Sequence, residues 1–258
     1  MRIRARTYQF LDRTLTLAGN FFGALHRGTW IGLLDAQDMR SLSLAYYVDS
    51  QFERHEFNQQ GLWDWEQRFV QEFLSNARSI LICAAGGGRE VLSLAKQGFA
   101  VTAFDCIPEL IATAERLILQ EGLKAKLMVS SPDLVPPLDQ AFDGAIIGWG
   151  AYMHISSCEK RVAFLSDVRG SVSSGAPLLI SFFTRRKVSR RFSFIYRLAR
   201  FVRILRFSKT PLELGDTLNG TFDHHFTESE IRAELEAANF QMISYRSSPY
   251  GHAFAKAV

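Results

Sequence analysis

Three consecutive glycines in this sequence stand at a boundary between two patterns. The apolar run SILICAA (79–85) has the length and composition of a buried parallel strand, and a helical pattern begins directly after Gly86–Gly88. Backbone without a Cβ lets a ligand approach closely, and the first turn of a helix offers unpaired N–H groups. The chemistry indicated is the binding of a polar ligand by the backbone of this turn.

Asp105 is the second chemical signal. It lies seventeen residues after Gly88, at the end of the next apolar run, FAVTAF (99–104). In a doubly wound sheet, a carboxylate at this place borders the ligand crevice and can accept hydrogen bonds from both ribose hydroxyls. The turn and the carboxylate together predict a nucleoside-containing cofactor. The alternative is structural, with a tight turn at Gly86–Gly88 and an exposed strand end at Asp105.

A third group follows the apolar run DGAIIG (143–148). The segment GWGAYMHI brings Trp149, Tyr152 and His154 to the carboxyl end of a strand, where ligands bind in open α/β sheets. Histidine can take a proton near neutral pH, which makes His154 the candidate catalytic base. Tyr152 and His154 are candidate substrate contacts, and Trp149 is a candidate cofactor contact. The alternatives are a capping or carbonyl-bonded role for His154 and core packing for the two aromatic residues.

Two adjacent histidines, His224 and His225, precede a predicted helix that begins with a capping box at Thr227. They lie on the segment that returns from a basic stretch of the chain, and both are candidate substrate contacts. Neighbouring side chains on one strand or loop point in different directions, and the sequence offers no evident third ligand. No metal site is therefore predicted.

The elements that position these residues alternate between strands and helices. Helical patterns at 89–97, 108–120 and 158–173 separate apolar runs, which include AKLMVS (125–130) and PLLISFF (177–183). This alternation predicts βαβ units, and hence an α/β fold with a doubly wound, mostly parallel sheet. The two final runs, FQMISYR and YGHAFAKAV, predict an antiparallel end to a sheet of seven strands.

The domain organisation follows from the same patterns. Residues 1–76 show helical spacing without strand alternation and predict a helical N-terminal cap, while 77–258 form the sheet domain with an insertion at 184–226. The basic start and the apolar run 15–25 resemble a signal peptide faintly. No convincing small-residue cleavage site follows, so we expect an amphipathic helix that packs on the domain or closes over a site. No run reaches the roughly 20 uncharged apolar residues of a membrane span.

Composition excludes several classes of protein. The chain has 258 residues, of which 47% are hydrophobic and 22% charged, which is too apolar for a disordered chain. Its three cysteines, Cys83, Cys106 and Cys158, form no C-x-x-C pair and are odd in number. This pattern disfavours a disulfide framework and a structural zinc site, and it predicts a cytoplasmic location.

The net charge of +4 is concentrated in one segment. No acidic residue occurs between Asp167 and Glu213, and ten of the 30 basic residues lie within 184–209. The other 20 basic residues are outnumbered by the 26 acidic ones, so the rest of the chain carries a net charge of −6. The positive balance therefore belongs to the insertion.

The basic segment predicts an amphipathic helix. Arg197, Arg200 and Arg203 recur at helical spacing, with Arg206 next in the series. The opposite side is apolar: Phe194, Ile195, Leu198, Phe201, Val202 and Leu205.

Three interpretations of this helix stay open. In the first, it is a lid with its apolar face on the domain and its arginines in solvent. In the second, the arginines, Arg197 among them, hold an anionic group of the substrate. In the third, residues 185–209 make a peripheral contact with an anionic membrane surface. Nucleic acid is disfavoured as a partner, because the rest of the chain is net acidic and contains no nucleic-acid-binding module.

Over residues 40–258 the chain resembles the class I S-adenosylmethionine-dependent methyltransferases. ILICAAGGGRE is similar to their first motif, VTAFD to their acidic second motif and AFDGAIIGWGAYMHI to their fourth. The terminal hairpin resembles the sixth and seventh strands that separate this family from dinucleotide-binding dehydrogenases. The cofactor that the resemblance implies is S-adenosyl-L-methionine.

The resemblance also implies roles for individual residues. In this family the turn contacts the methionine part of the cofactor, and the acidic residue, here Asp105, contacts the ribose. The residues after Asp105 contact the adenine, and an aromatic N-terminal helix covers the cofactor. The implied set is Ala84, Ala85, Gly86, Gly88, Asp105, Cys106, Ile107, Ser130, Ser131, Trp149, Tyr46 and Tyr47. Two positions depart from the family pattern: Ile82 replaces its usual acidic residue and Ala84 its first glycine. Other groups are thus expected to hold the amino end of the methionine.

The function predicted is methyl transfer from S-adenosylmethionine to a small or medium-sized acceptor. Anionic and lipid-linked molecules are included among the acceptors considered. Transfer to oxygen is favoured over nitrogen because a histidine base is at hand. One alternative is a non-catalytic member of the fold that binds a nucleoside or a membrane. The other is an NAD(P)-dependent oxidoreductase, whose G-x-G-x-x-G turn this chain replaces by Ala84-x-Gly86-x-Gly88.

Overall fold

The computed structural model describes residues 3–48 and 50–258. Its N-terminal part is helical, as the sequence predicts. Four helices precede the first strand: α1 (Ile3–Leu33), α2 (Ala36–Tyr47), α3 (His55–Asn58) and α4 (Asp64–Phe73). Asp35 caps α2, because its carboxylate accepts hydrogen bonds from the N–H groups of Gln37 and Asp38.

A seven-stranded sheet forms the centre of the molecule. The described residues form nine strands in all: β1 (Ser79–Cys83), β2 (Ala100–Asp105), β3 (Lys126–Val129), β4 (Gly144–Ile147), β5 (Pro177–Phe182), β6 (Asp216–Leu218), β7 (Phe222–His224), β8 (Phe240–Arg246) and β9 (Gly251–Ala257). The sheet order is β3-β2-β1-β4-β5-β9-β8, and β6 and β7 form a separate hairpin. Strands β1 to β5 are parallel, while β9 is antiparallel to both of its neighbours. The predicted fold class is confirmed.

Helices cover both faces of this sheet. They are α5 (Arg89–Lys96), α6 (Pro108–Gln120), α7 (Cys158–Gly170) and α9 (Glu228–Ala237), with α8 (Arg190–Leu205) in the insertion. Alternate residues of β1 enter different cores: Ile80 and Ile82 pack with α4 and α5, and Leu81 and Cys83 pack with α7 and α9. Burial on both faces explains why this strand is apolar at every position.

The N-terminal helices divide into two groups by what they pack against. Phe69, Val70 and Leu74, from α4 and its C-terminus, are buried in the core beneath the sheet. Helix α1 instead packs along α8, where Ala24 and Ile31 are buried against Ile195 and Ala199. The domain boundary at residue 76 stays a prediction. None of the described helices is long and apolar enough to cross a membrane.

One of the three interpretations of α8, a lid with its arginines in solvent, does not hold for Arg203. Arg197 and Arg200 are exposed, whereas the side chain of Arg203 is buried. Its guanidinium donates hydrogen bonds to the carbonyl oxygens of Ile31, Thr210 and Pro211, which include the C-terminal end of α1. Unpaired carbonyls at a helix end need donors, and this arginine supplies them.

The face expected to be apolar and buried is also divided. Ile195 is buried, whereas Phe194, Phe201 and Leu205 are exposed. The pairing with α1 uses the side of α8 that carries Ile195 and Ala199. The helical period of α8 was correctly predicted. The side of α8 that is buried was not, because it is determined by the surface that α1 offers.

Candidate active site

A cavity lies at the carboxyl ends of β1, β2 and β4, under the helix α2. It is built from the glycine turn, the ends of two neighbouring strands, the turn after β4 and the N-terminal cap. Predicted site residues that line it are Ala84, Ala85, Gly86, Asp105, Cys106, Ile107, Ser130, Ser131, Trp149, Tyr47, Tyr152 and His154. Gly88 and Tyr46 do not belong to its lining.

The turn after β1 takes conformations that favour glycine. Ala84, Gly86 and Gly88 all have positive φ, at 58°, 55° and 99°. A Cβ on Gly88 would lie 2.8 Å from Cβ of Ala114, whereas one on Gly86 would meet nothing within 4 Å. Gly88 is therefore needed for helix packing, and Gly86 leaves open space beside the cavity. An alanine at φ 58° is uncommon, which gives Ala84 a strained backbone.

Asp105 ties the end of β2 to this turn. Its carboxylate accepts hydrogen bonds from the N–H of Gly86 at 2.8 Å and from the N–H of Ile107 at 3.0 Å. The side chain is buried, and this burial raises the pKa of the carboxyl above its usual value. The two backbone donors oppose that effect and fix the orientation of the carboxylate toward the cavity.

A buried ion cluster behind the turn was missed in the sequence. The guanidinium of Arg89 binds both oxygens of Glu66, at 2.6 and 2.7 Å, and also Oε1 of Glu90 at 2.7 Å. Oε1 of Glu90 also accepts from the N–H of Trp149 at 3.3 Å. Both Arg89 and Glu90 line the cavity. Burial, and secondarily the charge of Glu90, raise the pKa of Glu66 to about 7 against the opposing effect of Arg89.

Two carboxylates therefore share one guanidinium at the edge of the cavity. The pair Arg89–Glu90 is adjacent in sequence, but Glu66 comes from α4, so no local spacing could have shown the cluster. Above the pKa of Glu66 all three groups are ionised, and the cluster then carries one negative charge. A cationic ligand group at this edge would be favoured.

Aromatic side chains form one wall of the cavity. Phe52 packs against Tyr47 and Phe57 with ring centroids 5.0 Å apart in both pairs. Trp149 lies 6.4 Å from Phe52 and 5.7 Å from Trp63. The faces of such rings attract cations, a sulfonium included.

The N-terminal cap touches the glycine turn directly. A Cβ on Gly87 would lie 2.0 Å from the carbonyl oxygen of Phe52 and 2.5 Å from the amide of Asn58. Buried Asn58 donates hydrogen bonds to the carbonyls of Phe52 and Arg54 and holds that loop in place. Only glycine can stand at position 87 under this loop, a requirement that the sequence did not reveal.

His154 ends a short 3₁₀ turn, Ala151–His154, that follows β4. Its Nδ1 lies 2.8 Å from the carbonyl oxygen of Phe222, and because a carbonyl oxygen can only accept, Nδ1 carries the proton. The lone pair of the neutral ring is then on Nε2, which lies 2.6 Å from the hydroxyl of Tyr47. Tyr47 therefore donates and His154 accepts.

Asp223 is the nearest charge behind the histidine. Its Oδ1 lies 3.3 Å from Nδ1 of His154 and, in the described chain, has no closer hydrogen-bond partner. Asp223 is buried on β7, and its other oxygen accepts from the amide of Asn219 at 3.0 Å. This carboxylate is placed to stabilise a positive charge on His154. Its position on the insertion hairpin explains why the sequence did not single it out.

The other aromatic candidates are placed differently. The hydroxyl of Tyr152 donates to Oε2 of Glu234 at 2.5 Å, and Arg161 pairs with the same carboxylate. Tyr152 is fully buried, so its polar end is engaged in the core. Tyr46 is exposed and touches only the edge of Tyr47 among the ring contacts of the described residues.

Three predicted substrate contacts lie outside the cavity lining. Arg197 is exposed on α8. His224 is buried, and its Nδ1 lies 2.7 Å from Oδ1 of Asp216. His225 packs between Phe183 and Phe192, and burial lowers its pKa to about 4.

Glu213, Asp216 and His224 place three ligand-type atoms close together. Arg161 already binds Glu213 at 2.8 Å, and Asp216 accepts from the N–H of Glu213 at 2.8 Å. A guanidinium beside the cluster opposes a metal cation, so we interpret the cluster as a hydrogen-bonded support for the β6–β7 hairpin.

Comparison with known proteins agrees with this geometry. Residues 80–175 match a family described as a methyltransferase domain. No curated protein sequence matches the chain.

Solved structures with this fold include several methyltransferases. A SAM-dependent methyltransferase from Methanosarcina mazei is 24% identical, with 77% of this chain and 99% of that chain covered and a TM-score of 0.57. An amino pentose methyltransferase from Micromonospora echinaspora, with SAM bound, is 14% identical over 81% of this chain and 97% of that one, with a TM-score of 0.58. Magnesium protoporphyrin IX methyltransferase from Synechocystis, also with SAM, is 14% identical over 86% and 98%, with a TM-score of 0.55.

The sheet order, the antiparallel β9 and the cavity beside the glycine turn are those of a class I methyltransferase fold. The matched residues 80–175 contain the glycine turn, Asp105 and His154, so these site residues lie in the part of the chain that is similar to a methyltransferase domain.

Proposed function

We propose that this protein transfers the methyl group of S-adenosylmethionine to an oxygen atom of a small-molecule acceptor. The observation that carries the proposal is one cavity lined by the glycine turn, the Asp105 carboxylate and His154, whose Nε2 holds a lone pair. When bound, the cofactor supplies an electrophilic methyl group on a sulfonium.

The residues that line the cavity favour one orientation of the bound cofactor. Asp105, at the end of β2, would accept hydrogen bonds from the ribose hydroxyls. Cys106, Ile107, Ser130 and Ser131 would surround the adenine, because they continue from β2 and β3 along the same edge. The turn 84–86 would then border the methionine part.

We assign the amino end of the methionine to Glu90. Ile82, at the position of the usual acidic residue, is buried in the core and offers no polar group. Glu90 lies in the cavity lining, and Oε1 accepts both of its described hydrogen bonds, which leaves Oε2 for a ligand. The negative charge of the Glu66–Arg89–Glu90 cluster favours an ammonium group there.

His154 would act as the general base. An acceptor hydroxyl must lose its proton as the methyl group is transferred, and a neutral imidazole suits that role at neutral pH. Asp223 would stabilise the imidazolium that forms. The transfer requires the acceptor oxygen to lie in line with the bond between the methyl group and the sulfur. The aromatic wall and α2 would provide this alignment by holding the acceptor against the sulfonium.

Small molecules are the proposed acceptors. Two proteins of the same fold are described as methyltransferases of an amino pentose and of magnesium protoporphyrin IX. Beside the charged groups at its edge, the cavity under α2 is lined by aromatic and apolar side chains, which suits a small acceptor with an apolar or aromatic part. We also propose a cytoplasmic location, supported by free cysteines at all three positions.

Calorimetry with three ligands tests the assignment of the cofactor. We expect S-adenosylmethionine and adenosine to bind and NADH not to bind; binding of NADH alone would overturn the proposal. Asp105→Asn should weaken the binding of both S-adenosylmethionine and adenosine, because both contain the ribose. Glu90→Gln should lower the affinity for S-adenosylmethionine about tenfold or more and leave the affinity for adenosine unchanged, because only S-adenosylmethionine has an ammonium group.

Turnover distinguishes the enzyme from a protein that only binds the cofactor. Formation of S-adenosylhomocysteine should be measured across a panel of hydroxyl, carboxyl and amine acceptors. Transfer that requires a hydroxyl acceptor supports the proposal, and transfer to amines alone contradicts the preference for oxygen.

A further inference from the structure

Most of the large apolar side chains that lie exposed in the described chain belong to two segments. Helix α1 exposes Leu11, Leu15, Leu17, Phe21, Phe22, Leu25 and Trp30. The segment around α8 exposes Val188, Phe194, Phe201, Ile204, Leu205 and Phe207. Scattered exposed apolar residues are normal in proteins, but a concentration on two packed helices marks an interaction surface.

The two helices form one continuous platform. Phe21 meets Phe194 with ring centroids 5.5 Å apart, Gly28 faces Leu198, and Gly32 faces Val202. Residue numbers rise together along both helices, so α1 and α8 run in the same direction. A Cβ on Gly32 would lie 2.5 Å from Cβ of Val202, so the glycine allows close contact.

Helix α1 also extends past its partner. Phe194 is only the fifth residue of α8, so about 20 Å of α1 lies beyond the start of α8, at 1.5 Å per residue. Leu11 and Leu15 belong to this extension, and both are more than half exposed.

The charge of the platform indicates what covers it. Arg190, Arg191, Arg197, Arg200 and Arg206 of the α8 segment are exposed beside the apolar side chains. No acidic residue occurs between Asp167 and Glu213, and Asp12 is the only one among residues 1–34. A second copy of this surface would bring arginines against arginines, whereas an anionic partner would neutralise them.

We propose that the α1–α8 platform docks on the surface of an anionic lipid bilayer. Exposed Leu and Phe side chains enter the acyl boundary, and the long arginine side chains reach the headgroup phosphates. Each basic residue near such a surface strengthens the attraction to anionic headgroups. The helices lie in the plane of the interface and do not cross it.

The platform also adjoins the cavity. Helix α2 begins three residues after α1 ends, and its residues Met39, Ser43 and Tyr47 line the cavity. Docking would hold this side of the protein at the membrane. The inference goes beyond the proposed reaction and does not depend on it.

Vesicle co-sedimentation of the full chain at physiological ionic strength tests the proposal. We expect the protein to pellet with vesicles of phosphatidylcholine and phosphatidylglycerol and to stay in solution with phosphatidylcholine alone. No binding to the anionic vesicles would overturn the proposal. The assay needs neither cofactor nor acceptor, so its failure is distinct from a failure of the proposed reaction.

Two double variants separate the contributions. Leu15→Ser with Phe201→Ser should lower the partition coefficient at least about tenfold through lost apolar burial. Arg197→Glu with Arg200→Glu should lower it at least about tenfold through lost attraction and new repulsion. All four side chains are exposed, so the fold should be preserved.

A matched control uses exposed residues on another part of the protein. Leu119→Ser with Lys124→Glu changes one apolar and one basic side chain at the end of α6, and binding should not change. Equal loss in this control would contradict a specific platform. A stable dimer in analytical ultracentrifugation that Leu15→Ser with Phe201→Ser dissociates would show that a second copy covers the surface, which would also overturn the proposal.

Discussion

The hydroxyl of Tyr47 lies 2.6 Å from Nε2 of His154 and donates a hydrogen bond to it. Tyr47 is the last residue of α2, so the N-terminal cap ends directly on the proposed catalytic base. Burial, and secondarily the charge of Asp223, raise the pKa of Tyr47 well above its ordinary value. The tyrosine therefore stays protonated and can be a donor to His154 but not a base.

The first prediction separates these two residues. His154→Gln should lower kcat by about 10²–10⁴-fold, because the base is lost, while the affinity for S-adenosylmethionine stays the same. Tyr47→Phe should retain kcat within about threefold, because an acceptor hydroxyl takes the place of the tyrosine on Nε2. Steady-state kinetics with calorimetry checks both. Equal losses in the two variants would show that Tyr47 carries the proton.

A second prediction concerns Asp223. Asp223→Asn should lower kcat about 10- to 100-fold by removing the charge that stabilises protonated His154. The KM for S-adenosylmethionine should stay nearly constant. Asp216→Asn is the matched control, because it changes a buried aspartate that binds His224 in the same hairpin, outside the cavity. A similar loss of kcat in both variants would indicate damage to the hairpin instead of an effect on the base.

A third prediction tests the contact between α8 and the end of α1. Arg203→Gln should lower the free energy of unfolding by about 2 kcal/mol, because the buried guanidinium is removed and the carbonyl oxygens of Ile31, Thr210 and Pro211 lose a charged donor. Arg200→Gln, at an exposed position on the same helix, should change it by less than about 0.5 kcal/mol. Urea denaturation of both variants is the measurement, and equal values would contradict the role of Arg203.

A fourth prediction is a pH dependence of stability. Burial lowers the pKa of His225 to about 4 in the folded protein, below the ordinary value of 6.5. Between these values the unfolded chain binds more protons, so the free energy of unfolding falls as the pH falls. A shift of this size corresponds to about 3 kcal/mol at full effect.

The variant His225→Phe checks this effect. It should lose less stability than the wild-type protein between about pH 7 and about pH 4, the range in which His225 changes its protonation in the unfolded chain. Urea denaturation at each pH measures the free energy of unfolding. His225 lies outside the cavity lining, so turnover of the variant should match that of the wild type. An identical loss of stability with pH in both proteins would contradict the prediction.

Local patterns in the sequence were sufficient to predict the sheet and the glycine turn. Continuous apolar runs, glycines after β1 and an acidic residue after β2 are local patterns, because a buried parallel strand and its tight turn restrict residue type position by position. The antiparallel end was also predictable from two adjacent apolar runs. The same patterns brought Asp105, Trp149 and His154 to one edge, because parallel strands share their carboxyl ends.

The surroundings of these residues depend on contacts between distant parts of the chain, which local patterns do not contain. Glu66 meets Arg89, and Asp223 meets His154, across long separations in sequence that no spacing records. The orientation of α8 was equally undetermined, since helical period gives two faces but not which of them finds a partner. One of the three interpretations of α8 placed Arg203 in solvent, but it is buried because α1 ends beside it with carbonyl oxygens that need a donor. Local pattern specifies an element, whereas its partners depend on the packing of the whole chain.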